Sequence, residues 1–444
     1  MKTKDDDIKY PKTLILGNPF NNKTGGGITM SNLFKGWPKD RLALATSANV
    51  YSEADFSICK NYYQLGYNGK LHPFPINILL PRVFCGPIKV PHPINTGNQI
   101  STQIPGRYKK TYWVLIYILG LLGVLNFLYR IKITPEFKKW LTDFNPDIIY
   151  SQLASLNLMR LISDVADVLK KPVALHFMDD WITLLNPPGL LYFYWKKKID
   201  NEFINLVNRS SVLMSIGEAM SEEYYKRYKR EFIPFHNPID VNNWIPFSRI
   251  DWSLQQRFTI LYAGRIGFGM KNSIIDVAKV VHSLSSENES LVFEIQTPDI
   301  KEIHGKVTFN DNVKWVKPTS YADLSKKFSQ ADLLILPIDF DSKSIRFLKY
   351  SFQTKISEYM ISGTPVLVYA PEETAAAKYA RKAGWAYVVT ERNELALANA
   401  ILDLKSNSDL RQSLGEKAKQ LAKTQEDSFL VREKFRNCLS ISME

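Results

Sequence analysis

The 444-residue sequence holds only three cysteines, Cys59, Cys85 and Cys438, far apart and without any CxxC spacing. So sparse and odd a count excludes a disulfide framework and a structural zinc site. Residues 1–7 (MKTKDDD) contain no apolar run and no small-residue cleavage site, so no secretory signal is read there and the cytosolic side is expected. Acidic residues are in deficit, 44 against 57 basic ones, which leaves a formal net charge of +13. Such a surplus suits nucleic acid, an anionic membrane or a phosphorylated substrate. Nucleic acid is set aside, because zinc-finger spacing, an RNA-recognition aromatic signature and an arginine-rich arm are all missing. What remains is a folded composition, 45% hydrophobic and 23% charged, in a chain long enough for two or three domains.

Strand and helix patterns alternate along most of it. Thr13 to Gly17 reads as a strand, Gly25-Gly26-Gly27 as a glycine-rich turn, and a helix is expected beyond it through Ile28, Met30 and Leu33. Residues 72–105 are proline-rich and read as an irregular excursion. Further strands are expected at 147–150, 173–177, 212–216 and 232–235. The rhythm pauses over a linker at about 237–256 and restarts at Phe258, with strands at 258–263, 292–295, 313–316, 333–336 and 366–369. Two Rossmann-like doubly wound α/β domains follow, at 1–240 and 257–425.

From Thr111 to Tyr129 there are 19 residues without a formal charge, flanked by Arg107, Lys109, Lys110, Arg130 and Lys132. A membrane span there would separate the first strand from the rest of its sheet, so the segment reads as a buried core helix or one lying at a membrane interface. The run Tyr192 to Lys198 (YFYWKKK) repeats the aromatic and basic chemistry that suits an anionic lipid surface.

Ligands of open α/β sheets sit at the carboxyl ends of the strands. Tyr262 to Lys271 (YAGRIGFGMK) directly follows the second domain's first strand. Gly264 permits close backbone approach, the helix N–H groups favour an anion, and Arg265 and Lys271 supply two cations suited to a departing diphosphate. Glu358 lies about one helical turn before Gly363-Thr364-Pro365, where a carboxylate can accept both hydroxyls of a ribose or simply be solvated. His176, at a strand end, has Asp179 and Asp180 beside it to orient its ring or to take an acceptor proton; Asp179 is the favoured one.

Three segments, AGRIGFGMK at 263–271, EYMISGTPVLVY at 358–369 and HNPID at 236–240, together resemble retaining GT-B glycosyltransferases of the family-4 type. The resemblance covers most of the chain, most closely from Leu213 to Leu404. It implies two Rossmann-like domains facing each other across a donor cleft, closure about the linker, and transfer of a sugar from a nucleoside-diphosphate-sugar to a saccharide or lipid-linked saccharide. It implies that Arg265 and Lys271 grip the diphosphate, Glu358 binds the ribose, Gly25, Gly26 and Gly27 lie beside the phosphates, and His176 contacts the donor sugar. No cofactor or metal is implied, the donor being a co-substrate, so the metal reading of Asp179-Asp180 is rejected. The C-terminal helices from Glu394 onward are expected to pack back across the first domain, with 426–444 as the returning helix.

In one position the chain departs from the family. Eight residues before Glu358, where the family carries a sugar-contacting glutamate, stands Tyr350. Sugar contacts are then expected from backbone amides around Tyr350, Ser351 and Phe352. Together with the basic flanks these readings point to polysaccharide or glycolipid synthesis, peripheral on the inner face of the cell membrane. The alternatives are a sugar-nucleotide 2-epimerase of the same architecture and a non-catalytic, membrane-associated sugar-nucleotide-binding protein.

Overall fold

The computed structural model describes residues 10–47, 54–65, 85–88, 106–123, 130–185, 189–254, 257–287 and 291–441. The chain divides into two compact units, residues 1–235 with 432–444, and residues 236–431. Each is built on a parallel sheet covered by helices, the doubly wound α/β class.

In the first unit the strands are β1 (Thr13–Leu16), β2 (Leu42–Ser47), β3 (Asn61–Leu65), β4 (Gly86–Ile88), β5 (Ile148–Gln152), β6 (Val173–Phe177), β7 (Val212–Ser215) and β8 (Ile233–Pro234). Their order is β4-β3-β2-β1-β5-β6-β7-β8, parallel except for β4 against β3. Thr13 pairs with Leu42 on one side and Ile148 on the other, placing β1 at the centre. Central strands such as TLIL are buried on both faces, and so their apolar residues run continuously instead of alternating. The helices are α1 (Gly25–Leu33), α2 (Gly106–Leu121), α3 (Pro135–Phe144), α4 (Leu156–Leu169), α5 (Tyr192–Arg209) and α6 (Glu218–Tyr228). Thr24, Thr134 and Ser155 each cap a helix start with a side-chain oxygen. Two expectations change here. The glycines at 25–27 form the first turn of α1 itself, and β4 lies inside the supposed excursion at 72–105, the rest of which falls outside the described residues except for Cys85.

Within the uncharged segment 111–129, residues 124–129 lie outside the described residues. The described part is no core helix: Trp113, Tyr117 and Leu122 are each half or more exposed. No helix among the described residues is long and apolar enough to cross a membrane.

The second unit carries β9 (Phe258–Ala263), β10 (Leu291–Gln296), β11 (Val313–Val316), β12 (Leu333–Pro337), β13 (Val366–Tyr369) and β14 (Tyr387–Val389), all parallel in the order β11-β10-β9-β12-β13-β14. Its helices are α7 (Lys271–Glu287), α8 (Leu324–Gln330), α9 (Ser342–Leu348), α10 (Lys355–Ser362), α11 (Ala375–Ala383), α12 (Glu394–Ser406) and α13 (Ser408–Gln425). Gly363 ends α10 in the left-handed region at φ 71°, and Thr364-Pro365 turns the chain into β13. The helices from Glu394 do not all leave this unit: α12 packs on α7 and α13 on α10. A Cβ at Gly415 of α13 would lie 2.2 Å from the Gly363 carbonyl, so that contact is backbone on backbone.

Only the last helix, α14 (Ser428–Ile441), changes unit, its residues from Arg432 belonging to the first. Arg432 Nε donates to the Asn32 carbonyl at 2.7 Å. Phe435 is fully buried among Phe34, Tyr150 and Phe235, ring centroids 5.1, 5.7 and 5.4 Å away.

Candidate functional site

At the end of β9 the backbone turns through Gly264 at φ +145°, a region closed to side chains. The Gly264 amide donates to the Gln296 carbonyl at 3.0 Å, and a Cβ there would lie 2.5 Å from Lys355 Nζ. Tyr262, buried beneath, donates its hydroxyl to the Arg265 carbonyl at 2.6 Å and so fixes the turn. The Arg265 side chain stands mostly in solvent, its Nε 3.8 Å from Asp299. Lys271 opens α7, with Nζ 3.0 Å from Glu302. Both cations therefore reach the short segment 299–302. The start of α7 is less open than the sequence suggested: the buried Asp339 carboxylate accepts the Ser273 amide at 2.7 Å. A protein carboxylate already occupies part of that anion-favouring end.

Helix α10 brings two opposite charges to the same turn. Glu358 is half-buried; burial raises its carboxyl to about 7, against the pull of Lys355 and a hydrogen bond from Tyr321. Burial likewise lowers Lys355 to about 8, with Glu358 opposing. The Lys355 ammonium lies 4.3 Å from the centre of the Tyr262 ring and donates to its hydroxyl at 3.3 Å. Among the described residues no carboxylate stands within ion-pair distance of it. Lys355 thus ties the Gly264 turn to Glu358, three residues further along the same helix. Sequence reasoning passed over it, along with Tyr262, Tyr321 and Asp339. A lysine three residues before a glutamate was the one legible signal.

Between α9 and α10, Tyr350 is half-buried under the Lys349 ammonium. The Ser351 amide donates to the Leu348 carbonyl at 3.2 Å, and its hydroxyl to that of Phe347 at 3.3 Å. Phe352 stacks on His236, centroids 4.8 Å apart. Of the amides expected to read a sugar, that of Ser351 is already committed to the protein.

The sequence-derived site residues of the first unit fare differently. Thr24 Oγ1 accepts the Gly27 amide at 3.2 Å, and Asn21 fills the space a Gly27 Cβ would need, at 2.2 Å. Gln152 donates to the Gly26 carbonyl at 3.0 Å. Gly26 and Gly27 are thus small because neighbouring side chains press on them. His176 is fully enclosed: Nδ1 meets the Tyr150 hydroxyl at 2.8 Å and Nε2 the Phe235 carbonyl at 2.9 Å. With both nitrogens engaged inside the core, the donor-sugar contact implied by the resemblance does not fit it. Asp180 is buried and bound by Arg227, Tyr224 and Thr183, each at 2.9 Å, a structural network. Asp179 is half-buried just beyond the end of β6.

Comparison with known proteins follows the same division. No curated protein matches the chain. Among solved structures, HepE of Anabaena with UDP bound superposes with a TM-score of 0.59 at 13% identity, over 97% of this chain and 99% of that one. A glycosyltransferase of Rickettsia africae gives 0.59 at 12%, over 98% and 99%. WaaG, a glycosyltransferase involved in lipopolysaccharide biosynthesis, gives 0.54 at 13%, over 96% and 99%. Identities this low establish a shared GT-B fold. The family described as "Glycosyl transferases group 1" matches residues 255–421, which span β9, the Gly264 turn, Lys355 and Glu358. Over that stretch the chain is similar to the glycosyl transferases of group 1.

Proposed function

We propose that the chain transfers a sugar from a nucleoside-diphosphate-sugar to an acceptor hydroxyl with retention at the anomeric carbon, and needs no metal or cofactor. The observation that carries this reading is that α10, the helix bearing Glu358, packs against the β9 turn through Lys355 at Gly264 and Tyr359 at Ala263, with Arg265 on that turn and Lys271 opening the next helix. Arg265 and Lys271 neutralise the diphosphate as the bond from C1 to its oxygen breaks, and Glu358 accepts the ribose hydroxyls. The acceptor oxygen bonds C1 on the face the diphosphate leaves, and the hydroxyl proton passes to the departing diphosphate oxygen. HepE was solved with UDP and with UDP-glucose, which supports a uridine diphosphate donor as the first to try. The test is incubation with UDP- and GDP-sugars, with and without saccharide acceptors, followed by product analysis. A glycoside appearing only with acceptor supports transfer, whereas conversion of donor alone identifies an epimerase and overturns it.

The acceptor is assigned to a lipid-linked saccharide at an anionic membrane surface. The Leu190 amide donates to the Leu121 carbonyl at 3.0 Å, joining the end of α2 to the start of α5. Around this junction Leu121, Leu122, Leu190 (88%), Phe193 (85%) and Tyr194 are exposed, and the Lys198 ammonium lies over the Tyr194 ring. Wet apolar area of this kind beside cations suits insertion at the headgroup level. Flotation with phosphatidylglycerol vesicles is expected to carry the protein up, and Phe193→Ser with Leu190→Ser to lower the bound fraction severalfold. No binding at low salt overturns this part.

A further inference from the structure

The two units contain the same backbone device with different neighbours. After β1, Gly17 (φ +118°) donates its amide across to Ala45 at 3.1 Å; after β9, Gly264 (φ +145°) donates across to Gln296 at 3.0 Å. In both, a helix following the adjacent strand on the other side presses a side chain against the bare Cα. From α4, after β5, it is a Leu158 methyl, 2.8 Å from an added Cβ; from α10, after β12, it is the Lys355 ammonium, at 2.5 Å. A lysine is a poor choice for filling space there. Its charge is half-buried, no carboxylate stands within ion-pair distance among the described residues, and a leucine does the packing in the first unit. The other two cations have acidic partners, Asp299 and Glu302, and Asp339 already accepts an amide of α7.

We infer that Lys355 is a phosphate-binding residue of the donor site, its ammonium taking a diphosphate oxygen beside the uncovered Cα of Gly264. The inference rests on the donor reading above and adds a third cation to it. Burial is what depresses its basicity, and Glu358 offsets that only in part, which leaves room for a closer anion. Tyr262 holds the side chain in place through ring and hydroxyl, and Gly264 must lack a side chain so that the ammonium and the phosphate can meet.

The experiment measures the affinity of the full chain for UDP and GDP relative to their parent nucleosides, by calorimetry, for the wild type, Lys355→Met and Lys355→Arg. The diphosphate's contribution is expected to fall about tenfold or more in Lys355→Met, the worth of one charge-assisted hydrogen bond, and to be partly restored in Lys355→Arg, with nucleoside affinity unchanged. Should the methionine variant melt early, Lys355→Gln keeps a donor for Tyr262 without the charge, and the same loss is expected. A folded Met or Gln variant with the wild-type ratio of diphosphate to nucleoside affinity overturns the inference and leaves the donor reading standing. If the wild type binds none of these nucleotides, the donor reading falls and the inference with it.

Discussion

The glycine-rich openings of the two units look alike in sequence and differ in what surrounds them. In the first, Gly26 and Gly27 are pressed by Gln152 and Asn21, and Gly17 by Leu158, so glycine serves close packing. In the second, Gly264 faces an ammonium, and Arg265 beside it is mostly exposed. A strand, a glycine turn and a helix therefore recur in both units, and what differs is the charge that another helix brings against the turn in the second.

Four experiments test that division. The largest effect is expected in the first unit, where Asp180→Ala strands Arg227 and Tyr224 and costs about 3 kcal/mol of stability, read by chemical denaturation. An unchanged midpoint would show that the network is dispensable. In the second unit the combined Arg265→Ala and Lys271→Ala change is expected to cut turnover about 100-fold or more, with the melting temperature little altered. Full turnover by this double variant removes the cations from the site. Gly27→Ala drives a methyl into Asn21 and is expected to cost roughly 1–3 kcal/mol of stability without weakening UDP. A drop in UDP affinity instead would return Gly27 to the donor.

The smallest effect is a pH profile. Glu358 titrates at about 7 and Lys355 at about 8, with Tyr321, Tyr262 and Tyr359 packed around them. UDP affinity is expected to rise severalfold as pH climbs through about 7, when Glu358 ionises to receive the ribose, and to fall above about 8 as Lys355 loses its proton. Stability without ligand runs the other way. The raised Glu358 makes the folded state bind more protons between 4.5 and about 7, so stability falls across that window. The lowered Lys355 makes the unfolded state bind more between about 8 and 10.5, so stability recovers there. Glu358→Gln should flatten the acidic limb of both curves; if it does not, another group titrates.

Much of this architecture was legible before any coordinates. Val173 to Phe177 and Phe258 to Ala263 match their strands residue for residue, because a doubly covered parallel strand is an unbroken apolar run. β2 was missed: in LALATS, leucine alternates with alanine, a helix former, and only its partners β1 and β3 make it a strand. The Gly264 turn, Arg265, Lys271 and Glu358 were legible as candidates because glycine and charge occur at fixed offsets from a strand or a helix stop. Lys355 could not, since its meaning depends on an ammonium reaching a Cα 91 positions earlier in the chain (355 − 264). The enclosure of His176 was equally hidden: Tyr150 of β5 and Phe235, just past β8, close on it from elsewhere in the chain. Asp339 caps α7 from 66 residues away, where no local pattern announces it.

Phe435 has a bearing on biosynthesis. Its ring completes an aromatic cluster whose other members, Phe34, Tyr150 and Phe235, leave the ribosome long before it does. Until then the leading half of the nascent polypeptide carries an unfilled apolar slot. Its core closes only once the last helix has been made.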